Sequence, residues 1–150
     1  MRVSPVFLVI LSALSIPVYG ASFDDRLLDQ QSIDALEQRA SQAQPKEQCF
    51  LYAQIVHQMV ELSAHQMASG EVEKATGLLK RAQDLTHRIQ LALAGNEKKL
   101  KDAQILMRHT AFRLSELLHA GSFDDRPLVE QTLAQLNKAQ DEAMLQVFRK

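Results

Sequence analysis

The chain has 150 residues and nearly balanced charge, with 17 basic and 18 acidic side chains. A net charge of −1 argues against a nucleic-acid-binding protein that works by neutralising phosphates. The single cysteine excludes a disulfide framework and any cysteine-rich zinc module. The composition, 46% hydrophobic and 23% charged, is that of a folded globular protein rather than a low-complexity chain.

Residues 1–20 have the layout of a secretory signal peptide. Arg2 supplies a positive charge at the start, an apolar run covers residues 6–16, and small residues precede a predicted cleavage site before Ala21. The alternative is an uncleaved membrane anchor, but the run is too short to cross a ~30 Å hydrocarbon layer comfortably. We therefore expect an exported protein, periplasmic or secreted, with a mature chain of 21–150 that has no stable membrane span.

The sequence of the mature chain has a helical pattern throughout, which predicts one all-α domain. Its two prolines stand at the starts of periodic segments, and three of its glycines stand at the ends, where they suit helix caps. These signals predict five helices, at residues 24–43, 46–69, 71–94, 97–119 and 126–148. The last four are similar in length and joined by short connections, so we expect an antiparallel bundle of four long helices. The first helix is the most polar, and we expect it to pack more weakly.

Hydrophobic periodicity predicts how the helices face each other. Apolar positions cover more than half of the circumference of the helix at 46–69, so we expect this helix to be central. The helix at 97–119 has one main leucine-rich stripe, with Ile105 and Phe112 almost opposite to it. We expect the N-terminal helix to cover these two side chains. The alternative is an exposed interaction patch that binds another envelope protein or a second copy of the chain.

A row of titratable side chains follows one flank of the predicted central helix. His57, Glu61 and His65 stand four residues apart, a spacing that allows side chains to share a metal ion. A solvated polar face explains the same residues without a ligand. Two classes of function therefore stay open. One is a non-enzymatic interaction or structural module of the cell envelope, and the alternative is a small metal- or ligand-binding bundle that uses these three residues.

The sequence contains no nucleophile motif, no glycine-rich phosphate loop and no metalloprotease motif. The pairs Asp84/His87 and Glu116/His119 have the spacing found in di-iron bundles, but helical projection places them outside the apolar stripes. Cys49 falls on the apolar stripe of its helix, which favours a buried thiol over a reactive one or an interchain bridge. We therefore predict no catalytic residues and no cofactor, and hence a protein that is not an enzyme.

A short segment occurs twice in the chain. Ser-Phe-Asp-Asp-Arg stands at residues 22–26 and again at 122–126, each time at the start of a predicted helix. Serine and aspartate oxygens cap the free N–H groups of a helix start, so capping explains the residue types. A duplicated recognition element is the alternative interpretation.

Residues 59–85 resemble the helical hairpin of a tetratricopeptide repeat. Small and large side chains recur there at the spacing of that family, at Leu62, Ser63, Gly70, Val72, Ala75, Leu79 and Ala82. An ordinary α-hairpin with closely packed helices explains the same pattern. The resemblance implies a protein-binding role without a particular ligand, and the rest of the chain is similar to small exported helical proteins.

Overall fold

Five α-helices, and no β-strand, make up the secondary structure of residues 29–93, 99–120 and 124–149, which the computed structural model describes. The helices are α1 (Gln30–Gln42), α2 (Pro45–Ala68), α3 (Val72–Leu93), α4 (Leu100–His119) and α5 (Arg126–Phe148). The prediction of an all-α protein is confirmed, and α2 to α5 begin and end within three residues of the predicted bounds. None of the described helices combines the length and apolarity needed to cross a bilayer. The predicted signal peptide, 1–20, lies outside the described residues.

The helix ends follow local chemistry that is visible in the sequence. Asp29 precedes α1, and its Oδ1 accepts a hydrogen bond of 2.6 Å from the backbone N–H of Ser32. Pro45 occupies the first position of α2, where an N–H group would have no partner within the helix. Gly70, with φ of +81°, ends α2 in the left-handed conformation that side chains rarely adopt. The chain therefore turns at residues 69–71 and enters α3.

Asp125, which belongs to the second copy of the repeated segment, does not act as a side-chain cap. Asp125 precedes α5, but its carboxylate makes no capping hydrogen bond. It accepts a hydrogen bond from the Thr76 hydroxyl of α3 instead. The carboxylate thus ties the start of α5 to α3, and the capping interpretation is wrong for this side chain. The first copy, at 22–26, lies outside the described residues.

The helix α2 is the central helix, as its wide apolar surface predicts. It contacts α1, α3 and α4, and ten of its 24 residues are buried. The helix α5 contacts α3 and α4, so α2, α3, α5 and α4 surround one hydrophobic core. The largest fully buried side chains come from all five helices: Ile33, Ile55, Met59, Leu79, Ile89, Leu93, Met107, Leu114 and Leu136, with Val56, Val60 and Val129.

The N-terminal helix does not cover the outer face of α4. Ile33 and Ala40 of α1 are fully buried against the core beside α2, and Arg81 of α3 forms ion pairs with α1. Ile105 and Phe112 of α4 remain 42% and 67% exposed. The expectation that α1 covers them is therefore wrong for the described residues. The physical reason is that α1 has a narrow apolar side, which the contact with α2 already uses.

Candidate functional site between α2 and α4

A shallow groove of about 440 Å³ runs between α2 and α4. Its lining residues are His57 and Glu61 of α2 with His109, Phe112, Arg113 and Glu116 of α4. The groove brings together residues from two sites that the sequence predicts separately. His57 and Glu61 belong to the predicted metal-binding row, and Phe112 belongs to the predicted interaction patch.

Helical spacing explains why these side chains face the same groove. His57 and Glu61 are one turn apart on α2, and the residues of α4 follow at intervals of three and four. The opposite side of α4 carries Met107 and Leu114, which are fully buried in the core. Burial of that stripe fixes the rotation of α4 about its axis, and the groove residues consequently point outward.

A hydrogen bond to the buried Thr110 side chain of α4 orients the His57 ring. Its Nδ1 lies 3.0 Å from Oγ1 of Thr110. The Thr110 hydroxyl also lies 2.9 Å from the carbonyl oxygen of Leu106, and when it donates its single proton there, Nδ1 carries the hydrogen and donates it to Oγ1. The other ring nitrogen, Nε2, is then unprotonated, and no described residue forms a hydrogen bond with it. This nitrogen is therefore open to a donor or a cation.

The surroundings keep the His57 ring neutral. Burial lowers the pKa of His57, the nearby Glu61 carboxylate opposes this shift, and His109 adds to it. Because the net shift is downward from an ordinary value near 6.5, the ring is uncharged at pH 7. The groove thus presents a neutral histidine whose Nε2 is a hydrogen-bond acceptor.

Arg113 lies between the two carboxylates of the groove. Its Nη1 donates a hydrogen bond of 2.9 Å to Oε2 of Glu116, and its Nε lies 3.2 Å from Oε2 of Glu61 without good alignment of the N–H. The hydrogen bond to Glu116 is the main reason why the pKa of Arg113 is raised. These side chains are partly exposed, so each pair contributes only about 0.2–1 kcal/mol. Two carboxylates against one guanidinium leave one negative charge in the groove, which favours a cationic group of a partner.

The three residues of the predicted metal site do not come together. His65 is exposed on α2 and does not line the groove, and Glu61 pairs with Arg113. Within residues 29–93, 99–120 and 124–149, no three His, Cys, Asp or Glu side chains are arranged to hold a metal ion. Metal binding by His57, Glu61 and His65 therefore stays a prediction. The groove offers His109 as a neighbour of His57 instead.

The exposed face of α4 continues from the groove toward the start of the helix. Ile105 lies one heptad before Phe112, and the charged residues Lys101 and Arg108 on the same side are exposed. Large hydrophobic side chains are also exposed elsewhere, at Val72, Leu91, Met144, Leu145 and Phe148. Phe112 borders a groove with defined charge and hydrogen-bonding groups.

The other residues singled out in the sequence do not form a second site. Cys49 is buried and free, as its stripe position predicts, and burial raises the pKa of its thiol to about 11. Asp84 and His87 are exposed on α3. His119 is exposed too, and its Nδ1 lies 2.6 Å from the carbonyl oxygen of Ser115. The groove between α2 and α4 is therefore the candidate functional site.

The sequence-based reasoning missed His109 and Arg113. Both follow the spacing of the outer face of α4, so helical projection could have found their direction, but only the contact between α2 and α4 places them opposite His57 and Glu61. Comparisons with protein-family models, with curated proteins and with solved structures found no match to this chain.

Proposed function

We propose that this protein is a non-enzymatic interaction module of the cell envelope, exported to the periplasm or the exterior, which binds a protein through the outer face of α4. The observation that carries this proposal is the 67% exposure of Phe112 beside a charged groove. Aromatic side chains are enriched at protein interfaces, where one ring provides a large apolar contact area at a low entropic cost. Phe112 is the anchor residue of the proposed interface.

The groove beside the anchor supplies the polar part of the recognition. Its net negative charge favours a lysine or arginine of the partner, and Nε2 of His57 accepts a hydrogen bond from a partner donor. The ion pairs of Arg113 hold the rim side chains in place before binding, which reduces the entropy lost in the complex. An apolar anchor with a polar border is the usual anatomy of a protein–protein interface.

The rest of the chain provides a rigid support for this surface. We infer that α2 to α5 form an antiparallel four-helix bundle, because residues 69–71 are a short connection and α2, α3, α5 and α4 contact in a ring. The resemblance of residues 59–85 to a tetratricopeptide hairpin supports a binding role as well.

Export is expected from residues 1–20, and N-terminal sequencing of the mature protein tests it. A start near Ala21 supports export, and an intact Met1 in a soluble cytosolic fraction contradicts it.

Photo-crosslinking in producing cells tests the interaction surface. A benzophenone amino acid replaces Phe112, and in a matched control the same group replaces Leu91, which is 68% exposed on α3. We expect a defined cross-linked species from position 112 and none from position 91. No cross-link from position 112, or equal cross-linking at both positions, would contradict the proposed surface.

The open Nε2 of His57 favours metal or ligand binding as the second candidate function. A zinc titration followed by calorimetry tests this candidate, with His57→Ala and His65→Ala as the paired variants. Binding that is lost with both variants supports the predicted row of His57, Glu61 and His65. Binding that is lost only with His57→Ala places the metal in the groove, and no binding by the unaltered chain removes the candidate.

A further inference from the structure

The exposed face of α4 is complementary to itself about the middle of the helix. Lys101, Ile105, Phe112 and Glu116 are all exposed, and at 100° per residue they lie within an arc of about 60°. They also lie symmetrically along the helix. The midpoint of these four residues falls just after Arg108. Lys101 stands as far before this midpoint as Glu116 stands after it. Ile105 and Phe112 are likewise at equal distances on its two sides.

This symmetry is what a two-fold axis requires of a helix that pairs with its own copy. An axis through the midpoint of α4 sets two α4 helices antiparallel. Ile105 of one chain then lies opposite Phe112 of the second copy, and Lys101 lies opposite Glu116 of the second copy. Every contact occurs twice, and both kinds of contact are favourable.

We propose that a second copy of this chain is the partner of the α4 surface, with the two α4 helices packed antiparallel. This inference rests on the proposed function and names the occupant of its surface. Lys101 forms no ion pair with a described residue, so its ammonium group is available to the second copy. It would meet Glu116 at the edge of the groove, where two carboxylates and one guanidinium leave a net negative charge.

The proposed dimer is weak, for two physical reasons. A single face of one helix buries less than the roughly 1,600 Å² of a standard protein interface. In addition, Arg108 lies beside the axis, so its two copies face each other with like charge. We therefore expect a dimer that forms between micromolar and millimolar concentration and tightens with Arg108→Gln.

Sedimentation velocity of the mature chain over this concentration range tests the proposal. Lys101→Glu and Glu116→Lys each replace two attractive contacts by two repulsive ones, so each should weaken the dimer roughly tenfold. A mixture of the two variants should form a heterodimer about as tight as the wild-type dimer, since acidic ends then meet basic ends. The double variant should recover self-association for the same reason. Circular dichroism checks folding, mainly for Glu116→Lys, which also removes the hydrogen bond from Arg113.

Two results overturn the dimer: a wild-type chain that stays monomeric at millimolar concentration, and a mixture that associates no better than its components. Phe112→Ala should also reduce association, and unchanged association contradicts the pairing. The cross-linking experiment separates this failure from failure of the proposed function. A monomeric chain that cross-links from position 112 to a different protein refutes the second copy as occupant and leaves the interaction module standing. A monomeric chain without any cross-link refutes both.

Discussion

The sharpest stability test compares two neighbouring side chains of α4 that face opposite directions. Phe112 is 67% exposed, whereas Leu114 is fully buried in the core. A fully buried phenylalanine removes about 200 Å² from water, and only about a third of this surface is buried at position 112. At about 25 cal/mol per Å², Phe112→Ala should cost at most about 1.7 kcal/mol of unfolding free energy, with no cavity left behind. Leu114→Ala empties a closed site and should cost about 3 kcal/mol.

Urea unfolding followed by far-UV circular dichroism measures both changes. The protein concentration has to stay below the range of self-association, because binding of a second copy would add to the apparent stability. Equal m-values for the wild type and both variants show that the same surface is exposed on unfolding. If Phe112→Ala costs as much as Leu114→Ala, the ring is covered in solution. The face of α4 would then be part of the core rather than a docking surface.

Three further predictions concern the core and the groove. Val60→Asp leaves an unpaired charge in the fully buried part of α2 and should lower the unfolding free energy by about 4 kcal/mol or more. Arg88→Asp, on the exposed side of α3, should change the unfolding free energy by under about 0.5 kcal/mol. If Val60→Asp melts like the parent, the placement of α2 is contradicted. Because burial lowers the pKa of His57, its contribution to stability is complete above pH 6.5 and is lost as pH falls from there toward the lower folded pKa. His57→Gln should therefore flatten the pH dependence of the urea midpoint below pH 6.5, and an unchanged pH dependence would contradict the burial of the ring. Cys49, with a pKa of about 11, should react with iodoacetamide at neutral pH only as fast as the chain unfolds, and rapid labelling of the folded protein would disprove its burial.

The sequence by itself determined the helices and the side of each that lies inside. Proline at the start of α2 and glycine at its end act through their own backbone geometry, so local chemistry is enough to locate these boundaries. The wide apolar surface of α2 needs neighbours on several sides wherever they come from, and its central position followed from that need. The burial of Cys49, and the position of Phe112 away from the main stripe of α4, are likewise properties of one helix, readable from its periodicity.

Only the tertiary structure decided which helix surfaces meet. The sequence could not tell that α1 packs beside α2 and leaves Ile105 and Phe112 exposed. Several helices have apolar surfaces that the short apolar side of α1 can contact, and the closeness of packing between the side chains decides which contact forms. The row of His57, Glu61 and His65 looked like one site because the residues share a helix. Contact between α2 and α4 instead joins His57 and Glu61 to residues about fifty positions away, and it is this contact that makes the groove.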